Sequence, residues 1–280
     1  MVNQVIQEYQ AQGYELTLRQ AYYQLVARGY IPNNERSYKN IGNLINDGRL
    51  AGLIDWYAIT DRTRNLRGNS HWDTPAEVIE SAKYSYRLDK WEGQPNYVEV
   101  WVEKDALVDV VGQACRPLDV PFFSCRGYTS QSEMWAAAQR FIRRDDREQR
   151  IIIHLGDHDP SGIDMTRDIQ ERLEMFGADV IVKRVALTME QIDFYTPPPN
   201  PAKLTDSRCW GYIQKFGNES WELDALEPNV ITDLITEQVT MYRDDTLYQQ
   251  VCDQERREKR ELQLLCDNYS EAVSFLKEGY

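Results

Sequence analysis

From Tyr97 onward, four short segments rich in Val, Ile and Phe alternate with helical stretches. The strand candidates are YVEVWV (97–102), VPFFS (120–124), RIIIHL (150–155) and DVIVKRV (179–185). Strands that alternate with helices along a chain typically form a parallel sheet that is covered on both faces. The sequence therefore predicts an α/β fold with a Rossmann-like parallel sheet in its middle part.

The first 73 residues predict three short helices followed by a strand pair. The helices begin near Val2, at the capping box that opens on Thr17, and near Glu35. LIDWYAI (53–59) has a strand-like composition, and the basic stretch DRTRNLR (61–67) follows it. Three helices and a wing are the order of a winged helix, whose third helix usually enters the major groove of DNA. A small three-helix packing unit is the alternative.

These patterns divide the chain into four parts. Residues 1–73 form the predicted winged-helix domain, 74–96 a connecting helix and linker, 97–190 the parallel-sheet domain, and 191–280 an extension with a Pro-rich segment and C-terminal helices. The connecting helix, predicted for residues 74–90, is marked by Thr74, Pro75 and Glu77 at its N-cap, N1 and N3 positions. The last fifty residues are expected to be helical.

The charge of the chain is unevenly distributed. It carries 32 basic and 45 acidic side chains, a net charge of −13 that taken alone disfavours a nucleic-acid partner. Residues 16–67, however, hold eight basic and four acidic groups. We therefore predict that double-stranded DNA binds this part, and the expected phosphate contacts are Arg49, Arg62, Arg64 and Arg67. Without a long apolar run or an export signal, the expected location is cytoplasmic, with the protein associated with the nucleoid and no membrane partner.

Two acidic motifs follow strands of the predicted sheet. Glu103 comes directly after YVEVWV, and Asp157 and Asp159 follow RIIIHL within GDHDPSG. Ligands of open parallel sheets bind beyond the carboxyl ends of the strands, and carboxylates crowded there favour a hard cation between them. The sequence predicts that these three acids bind Mg²⁺, which Mn²⁺ could replace. An Asp-rich turn that caps a helix beside an unrelated surface Glu is the structural alternative.

This order of acidic residues resembles the toprim domain of topoisomerases, primases and some nucleases. The resemblance covers residues 97 to about 187, and it implies that Glu103, Asp157 and Asp159 hold Mg²⁺ for reactions on phosphodiesters. A primase is disfavoured, because its usual zinc-binding module would need ligands and the five cysteines here contain no CxxC pair.

Two adjacent tyrosines lie on the second predicted helix. Leu18, Tyr22 and Leu25 recur at i, i+4 and i+7, which predicts that Tyr22 lies in a core. Tyr23 shares a face with Arg19, one turn earlier, and is expected at the polar edge of the helix. A phenol with a pKa of about 10 is a weak nucleophile at neutral pH, so a reactive Tyr23 would need help from the arginine and a metal-bound phosphate. A tyrosine that merely covers a domain interface is the alternative.

The string TLRQAYY (17–23) resembles the Thr-x-Arg-x-x-x-Tyr pattern of the winged-helix domain in the topoisomerase VI A subunit and in its relative, the meiotic double-strand-break transesterase. Thr17, Arg19 and Tyr23 fall on the three fixed positions. The resemblance spans roughly residues 15–187, and ELDAL (222–226) is a weaker match to a late acidic segment of that family. It implies that Tyr23 attacks DNA and stays joined to the 5′ end, while the toprim domain of the opposite protomer holds the metal.

The resemblance implies a Mg²⁺-dependent, type IIB topoisomerase-like transesterase with Tyr23, Arg19 and Glu103 as catalytic residues. A homodimer is expected, because cutting two strands with one tyrosine per chain requires two chains. A separate GHKL-type ATPase subunit is a further candidate partner, but this sequence contains no such domain and strand passage is not inferred. Two alternatives stay open: a toprim nuclease in which metal-activated water attacks, and a non-catalytic DNA-binding regulator.

Overall fold

The computed structural model of the protein describes residues 1–59 and 69–278. Within these residues the chain is α/β, with a four-stranded parallel sheet and many helices, so the predicted α/β class with a parallel sheet is confirmed. The winged helix at the N-terminus stays a prediction. No helix in this described part is both long and apolar enough to cross a membrane.

All four predicted strands are present in the main sheet. They are β1 (Asn96–Val102), β2 (Phe122–Ser124), β3 (Gln149–Leu155) and β4 (Ile181–Ala186). The order is β2-β1-β3-β4, and every neighbouring pair is parallel. Val102 at the end of β1 pairs with Leu155 at the end of β3, so both strands stop at the same edge of the sheet. The middle of β3, residues 151–153, is completely buried, as expected for a sheet covered on both faces.

Helices precede, separate and follow the strands of the sheet along the sequence. They are α1 (Val2–Ala11), α2 (Leu18–Ala27), α3 (Glu35–Leu50), α4 (Pro75–Ser85), α5 (Val108–Leu118), α6 (Gln131–Ile142), α7 (Pro160–Met175), α8 (Met189–Tyr195), α9 (Cys209–Phe216), α10 (Pro228–Thr240), α11 (Asp245–Asp267) and α12 (Tyr269–Glu278). Two short strands, β5 (Asn200–Pro201) and β6 (Glu219–Ser220), pair antiparallel. One core cluster joins α6 and α7 to the sheet through Trp101, Phe141 and Ile152.

Local sequence signals explain where the helices of the candidate site begin. Thr17 and Gln20 form the predicted capping box of α2, in which the Thr17 backbone N–H donates to Gln20 Oε1 at 2.8 Å. At the start of α7, Asp159 is the N-cap and Pro160 occupies the first turn. Both helices therefore begin at the positions that their capping residues indicate.

The predicted strand at 53–59 was wrong. Trp56–Ala58 form a 3₁₀ turn, and Asp55 caps it by accepting from the Tyr57 N–H at 3.0 Å. The Arg49 guanidinium donates to the carbonyl oxygens of Trp56, at 2.8 Å, and Ile59. Only Ile59 makes a bridge, with Leu16. The backbone groups that a strand would use are thus partly engaged by side chains.

The chain divides into two compact units. One contains Met1–Arg64 and Pro95–Tyr242, and the other contains Asn65–Gln94 and Arg243–Tyr280. In the second unit α4 packs against α11, and Glu255 is buried, accepting from the Leu88 N–H at 3.0 Å. The connecting helix predicted for residues 74–90 ends at Ser85, and the predicted helical character of the last fifty residues is confirmed as far as residue 278. The predicted domain boundaries stay predictions.

Candidate active site

Glu103 and Asp157 meet where β1 and β3 end. A Glu103 carboxylate oxygen, Oε2, accepts from the backbone N–H of Asp157 at 2.9 Å. This contact needs a glycine at position 162, because a Cβ there would lie 2.2 Å from the Asp157 carbonyl oxygen and 3.0 Å from Glu103 Oε2. The GDHDPSG motif therefore combines its acids with a small residue that lets the start of α7 approach them closely.

Asp157 connects the sheet to the ELDAL segment, residues 222–226. Its carboxylate is buried, and Oδ1 accepts from the Leu223 N–H at 2.8 Å. Its other oxygen, Oδ2, lies 2.9 Å from Lys104 Nζ. Asp157, which the sequence predicts as a metal ligand after β3, thus contacts a residue that lies 66 positions later in the sequence.

Three carboxylates converge at this point, and we call Asp157, Glu222 and Asp224 the acidic cluster. Each offers one oxygen, and these oxygens all lie within 4.8 Å of one another. The ammonium of Lys104 contacts all three, at 2.9 Å from Asp157 Oδ2 and 3.0 Å from Asp224 Oδ1, with a further hydrogen bond to Glu222. Lys104 and Asp224 received no role from the sequence. Two features of the sequence could have identified them: a basic residue directly follows Glu103, and two acidic residues lie two positions apart in ELDAL.

Arg19 ties α2 to the acidic cluster. Its Nη2 lies 2.6 Å from Glu222 Oε2, and its Nε lies 2.9 Å from Asp224 Oδ2. The guanidinium also lies over the ring of Tyr23, 5.7 Å from the centroid. The structure therefore brings Arg19 and Tyr23 together with the acidic cluster within a single chain.

Both tyrosines of α2 are buried, at 4% exposure for Tyr22 and 6% for Tyr23. The prediction that Tyr22 is buried is confirmed, although it packs with Tyr23, Val26 and Ala225 and not with Leu25. Tyr23, which was expected at the polar edge of the helix, is buried as well, because it packs with Ala225. The neighbour predicted for Tyr23, Arg19, is correct.

Tyr23 nevertheless borders open space. It lines a cleft of about 470 Å³, and Asp159, Lys203, Trp221 and Glu222 are among the other lining residues. The Tyr23 hydroxyl has no hydrogen-bond partner within residues 1–59 and 69–278. In contrast, the Tyr22 hydroxyl donates to Asn33 Oδ1 at 2.8 Å. Of these two hydroxyls, that of Tyr23 thus lies beside the acids without a hydrogen-bond partner among the described residues.

Asp159 has a different environment from Asp157. Its Oδ1 accepts from the Gly162 N–H at 2.7 Å and from the Ser161 hydroxyl at 2.8 Å, which caps α7. It is not a member of the acidic cluster, although it lines the same cleft as Tyr23. The structure therefore joins Glu103 and Asp157 directly and places Asp159 at the side of the site.

Burial dominates the electrostatics of the buried acids. It raises the pKa of Asp157 well above its ordinary value, and Glu103, Glu222 and Asp224 raise it further while Lys104 opposes them. Burial also raises the pKa of Glu103. Burial alone would lower the pKa of Lys104, but the attraction of the three carboxylates outweighs it and keeps the ammonium charged.

The phenol of Tyr23 is protonated at neutral pH. Burial raises the pKa of Tyr23 to about 12, with Glu222 and Asp224 adding to the effect and Arg19 opposing it. A reaction at its oxygen therefore requires a change in the surrounding charge, either by added positive charge at the acids or by the approach of a base.

The donor set of the site fits a divalent cation. Glu103, Asp157, Asp159, Glu222 and Asp224 contribute carboxylates, whereas Lys104, Arg19 and Arg184 contribute positive charges. Two negative charges are left when all of these groups are ionised, and crowded carboxylate oxygens are the ligands that Mg²⁺ and Mn²⁺ prefer. The residues present thus match a hard divalent ion in both charge and atom type.

Of the four arginines predicted to contact DNA, Arg49 lies within the described residues. Arg49 uses its guanidinium within its own loop, on the carbonyl oxygens of Trp56 and Ile59. Arg62, Arg64 and Arg67 lie outside the described residues. The assignment of these four arginines to DNA stays a prediction.

Similarity to known proteins does not extend the assignment. Comparison of the chain with protein-family models gave no match, and comparison with curated proteins gave none. The resemblance to toprim and topoisomerase VI A proteins therefore rests on the motifs around Tyr23, Glu103 and Asp157.

Proposed function

We propose that the protein is a Mg²⁺-dependent DNA-breaking transesterase in which Tyr23 is the nucleophile. One observation carries the proposal: Arg19 binds two carboxylates of the acidic cluster while lying over the Tyr23 ring. A phenol, a guanidinium and a crowded acidic site beyond the ends of parallel strands are the components that tyrosine attack on a phosphodiester requires. In this proposal residues 1–73 are a winged helix and residues 97–190 are a toprim domain.

The proposed step is an exchange of one phosphate ester for another. The Tyr23 oxygen forms a bond to phosphorus, and the bond from phosphorus to the 3′ oxygen of the neighbouring nucleotide breaks. The phenol proton passes to that departing oxygen, which leaves a 3′ hydroxyl and a 5′-phosphotyrosyl link. No oxidant or energy source is needed. Arg19 would stabilise negative charge on the phenolic oxygen and on the phosphate.

The acidic cluster would hold the divalent ion, with Glu103 and Asp159 at its border. When bound, the ion would supply positive charge that neutralises the phosphate and lowers the pKa of Tyr23. Lys104 would keep the carboxylates ionised and in place. Asp157 belongs both to the acidic cluster and to the set of acids predicted from the sequence, Glu103, Asp157 and Asp159. We therefore propose that Asp157 is the central ligand.

We further propose that duplex DNA is the substrate and that a homodimer performs a double-strand break. Support comes from the local excess of basic residues between 16 and 67. Removal of one phosphate-contacting arginine should reduce the salt slope of DNA binding by about one unit. A duplex-binding assay on the Arg62→Ala and Arg64→Ala variants between low and moderate salt tests this part.

A hydrolytic nuclease is the second candidate, and the burial of Tyr23 favours it. A phenol with a pKa of about 12 that is 6% exposed is a poor nucleophile, whereas water activated at the acids would not need it. In that reaction Tyr23 would only fill space beside Arg19.

Denaturing electrophoresis of a labelled duplex separates the two functions. The protein is incubated with Mg²⁺ or Mn²⁺, and half of each sample is treated with protease before loading. Transesterification leaves protein attached to the 5′ end of the cleaved strand, so this strand migrates slowly until protease digests the protein. Tyr23→Phe should abolish this covalent adduct. Tyr22→Phe is the matched control and should retain the adduct. Metal-dependent cleavage by Tyr23→Phe at the wild-type rate would instead establish the nuclease.

A further inference from the structure

We propose that the C-terminal helices of two copies of the chain pair through one apolar stripe, and that this contact holds the homodimer together. The stripe, which we call the C-terminal seam, consists of Leu262, Leu265, Tyr269, Ala272 and Leu276. The inference rests on the homodimer of the proposed function and names a surface through which its two chains meet. It involves no residue of the candidate active site.

The first observation is that α4, α11 and α12 bury very few side chains. Among the described residues of these three helices, only Glu255 is buried. Helices of soluble proteins normally bury an apolar stripe, because the packing of that stripe supplies most of their stability. Near the end of the chain the apolar side chains are instead 49–77% exposed, namely Leu264, Leu265, Phe275 and Leu276. These helices therefore present an apolar surface that a partner would cover.

The second observation is that α11 and α12 follow one another with only Asn268 between them. The Asn268 N–H donates to the Leu264 carbonyl oxygen at 3.1 Å, and the Ala272 N–H donates to the Asn268 carbonyl oxygen at 2.9 Å. Helical hydrogen bonds thus run through the junction, and one stripe can continue across it. The residues of the C-terminal seam recur at intervals of three and four in turn, which is the spacing by which helices pair in coiled coils.

The α4 segment covers an earlier part of α11. The Leu88 N–H donates to Glu255 at 3.0 Å, the Tyr86 hydroxyl donates to Glu258, and the Lys83 ammonium donates to Gln263. These contacts follow α11 only as far as the first turn of the C-terminal seam. The rest of the seam lies beyond them, in a part of the chain where α12 buries none of its described residues.

The distribution of charge indicates that the partner is a second copy of the same surface. Between residues 262 and 276 the charged side chains are Asp267 and Glu271, and helical spacing places both of them away from the seam. The flanking positions hold uncharged residues, namely Cys266, Asn268, Val273 and Phe275. A surface that meets its own copy brings like charges together unless it is neutral, so neutral flanks are what self-pairing requires.

Other kinds of partner fit the seam less well. The charges nearest to it are acidic, and they would repel a DNA backbone and anionic lipid headgroups. A second copy also agrees with the proposed reaction, in which cutting two strands with one tyrosine per chain uses two chains. About a two-fold axis, Leu265 and Leu276 of each copy would lie in the contact, with Phe275 at its side.

Light scattering and analytical ultracentrifugation of the full chain test the inference. The wild-type protein should contain two chains per particle. In the double variant Leu265→Asp, Leu276→Asp, two carboxylates per chain would lose water at the contact, so the dissociation constant of the dimer should rise by more than about a hundred-fold. A wild-type protein that is monomeric at every concentration would overturn the inference, and so would a dimer that the double substitution leaves intact.

Two phenylalanines provide a matched pair of single substitutions. Phe275 on α12 and Phe194 on α8 are 77% and 79% exposed. Phe275→Asp should weaken the dimer, whereas Phe194→Asp should leave its dissociation constant unchanged. Equal weakening by the two substitutions would show that the effect is not specific to the seam and would overturn the inference.

A measurement on the wild-type protein removes the dependence on variants that might not fold. Backbone amides of residues 262–276 should exchange with deuterated solvent more slowly as the protein concentration is raised, because pairing protects them. Exchange that is independent of concentration would contradict the inference.

The adduct assay separates this inference from the proposed function. A wild-type dimer that depends on the seam but gives no Tyr23-linked adduct would refute the transesterase and leave the seam standing. An adduct-forming protein whose dimer survives the double substitution would refute the seam alone.

Discussion

Arg19 and Asp224 form an ion pair in which the two side chains differ greatly in exposure, at 43% for Arg19 and 0% for Asp224. The buried partner thus depends on a side chain that reaches it from the solvent side of α2. Arg19→Ala would leave the carboxylate of Asp224 with Lys104 as its remaining cation. We expect the free energy of unfolding to fall by about 2 kcal/mol, less than for a fully buried pair because Arg19 is partly hydrated.

Urea unfolding of Arg19→Ala measures this loss. Lys39→Ala is the control, because Lys39 pairs with Glu35 at 2.9 Å on an exposed face of α3. That pair is exposed on both sides and screened by water, so its loss should lower the stability much less than the loss of Arg19. Equal losses in the two variants would show that Arg19 has no special role at the acidic cluster.

Tyr22 and Tyr23 should differ in their hydroxyl groups and not in their rings. Tyr22→Phe removes a hydrogen bond to Asn33 and should cost about 1 kcal/mol. Tyr23→Phe removes a hydroxyl that has no partner in the described part of the chain, so the stability should stay within about 0.5 kcal/mol of wild type. Either Tyr→Ala change should cost about 3 kcal/mol, because both rings are buried. Thermal unfolding distinguishes these cases, and a large loss for Tyr23→Phe would contradict the assignment.

The sheet and its acidic edge could be predicted from the sequence. Runs such as the three isoleucines 151–153 identify buried strands, and Glu103 and Asp157 follow their strands directly, so that parallel pairing brings them together. The capping box at Thr17 likewise fixed the start of α2. These are local signals, or signals that need only the rule that parallel strands end at a common edge.

The closing of the site by the ELDAL segment could not be predicted in the same way. Glu222 and Asp224 reach Lys104 only because the chain returns to the sheet edge after residues 187–221, whose two short helices and two-residue strands give no local signal of that return. The burial of Tyr23 has the same origin, since Ala225 covers it. The strand predicted at 53–59 does not form, because the side chains of Asp55 and Arg49 bind backbone groups that strand pairing would use. The composition of the segment does not reveal these side-chain contacts.

Gly162→Ala should disturb the site from its edge. The added Cβ would lie 2.2 Å from the Asp157 carbonyl oxygen, so the start of α7 must move away from Glu103 and Asp157. We expect a loss of about 1–3 kcal/mol together with weaker Mg²⁺ binding, measured by thermal unfolding and calorimetry.

Gly211→Ala is the matched control for the change at Gly162. A Cβ at Gly211, inside α9, would meet no atom within 4 Å, and alanine favours a helix over glycine by about 1 kcal/mol. The control should therefore be neutral or stabilising. Similar destabilisation by the two substitutions would remove the case for a close approach at Gly162.

Lys104→Met should make folding depend on divalent metal. The substitution leaves Asp157, Glu222 and Asp224 with one fewer positive charge among them, so repulsion destabilises the folded state in the presence of a chelator. Mg²⁺ bound only by the folded state restores stability, by about 2.7 kcal/mol at a hundred times the dissociation constant. Melting temperatures with chelator and with Mg²⁺ test this, and exposed Lys215→Met serves as the control. An identical response to Mg²⁺ in the two variants would count against a metal at the acidic cluster.

His154 should make the protein lose stability as the pH falls below about 6.5. The ring is completely buried on β3, its Nδ1 lies 2.8 Å from Thr166 Oγ1, and its Nε2 has no partner. Burial lowers the pKa of His154 to about 3, with Arg184 adding to the effect. Because the unfolded chain takes up this proton near pH 6.5 and the folded protein does not, the unfolded state binds more protons between pH 6.5 and about 3. One such group reduces the free energy of unfolding by about 1.4 kcal/mol per pH unit in this window.

The raised pKa values of Glu103 and Asp157 act in the opposite direction, since their protonation favours the folded state, so the His154 effect must be read as a difference between variants. Urea unfolding at several pH values from 6 to 4 should give His154→Gln a slope shallower than wild type by about 1.4 kcal/mol per pH unit. His71→Gln, which replaces an exposed histidine with the same residue type, is the control. If His154→Gln and wild type lost stability at the same rate on acidification, the buried ring would have to be charged in the folded protein. That would require a carboxylate to approach its unpartnered Nε2.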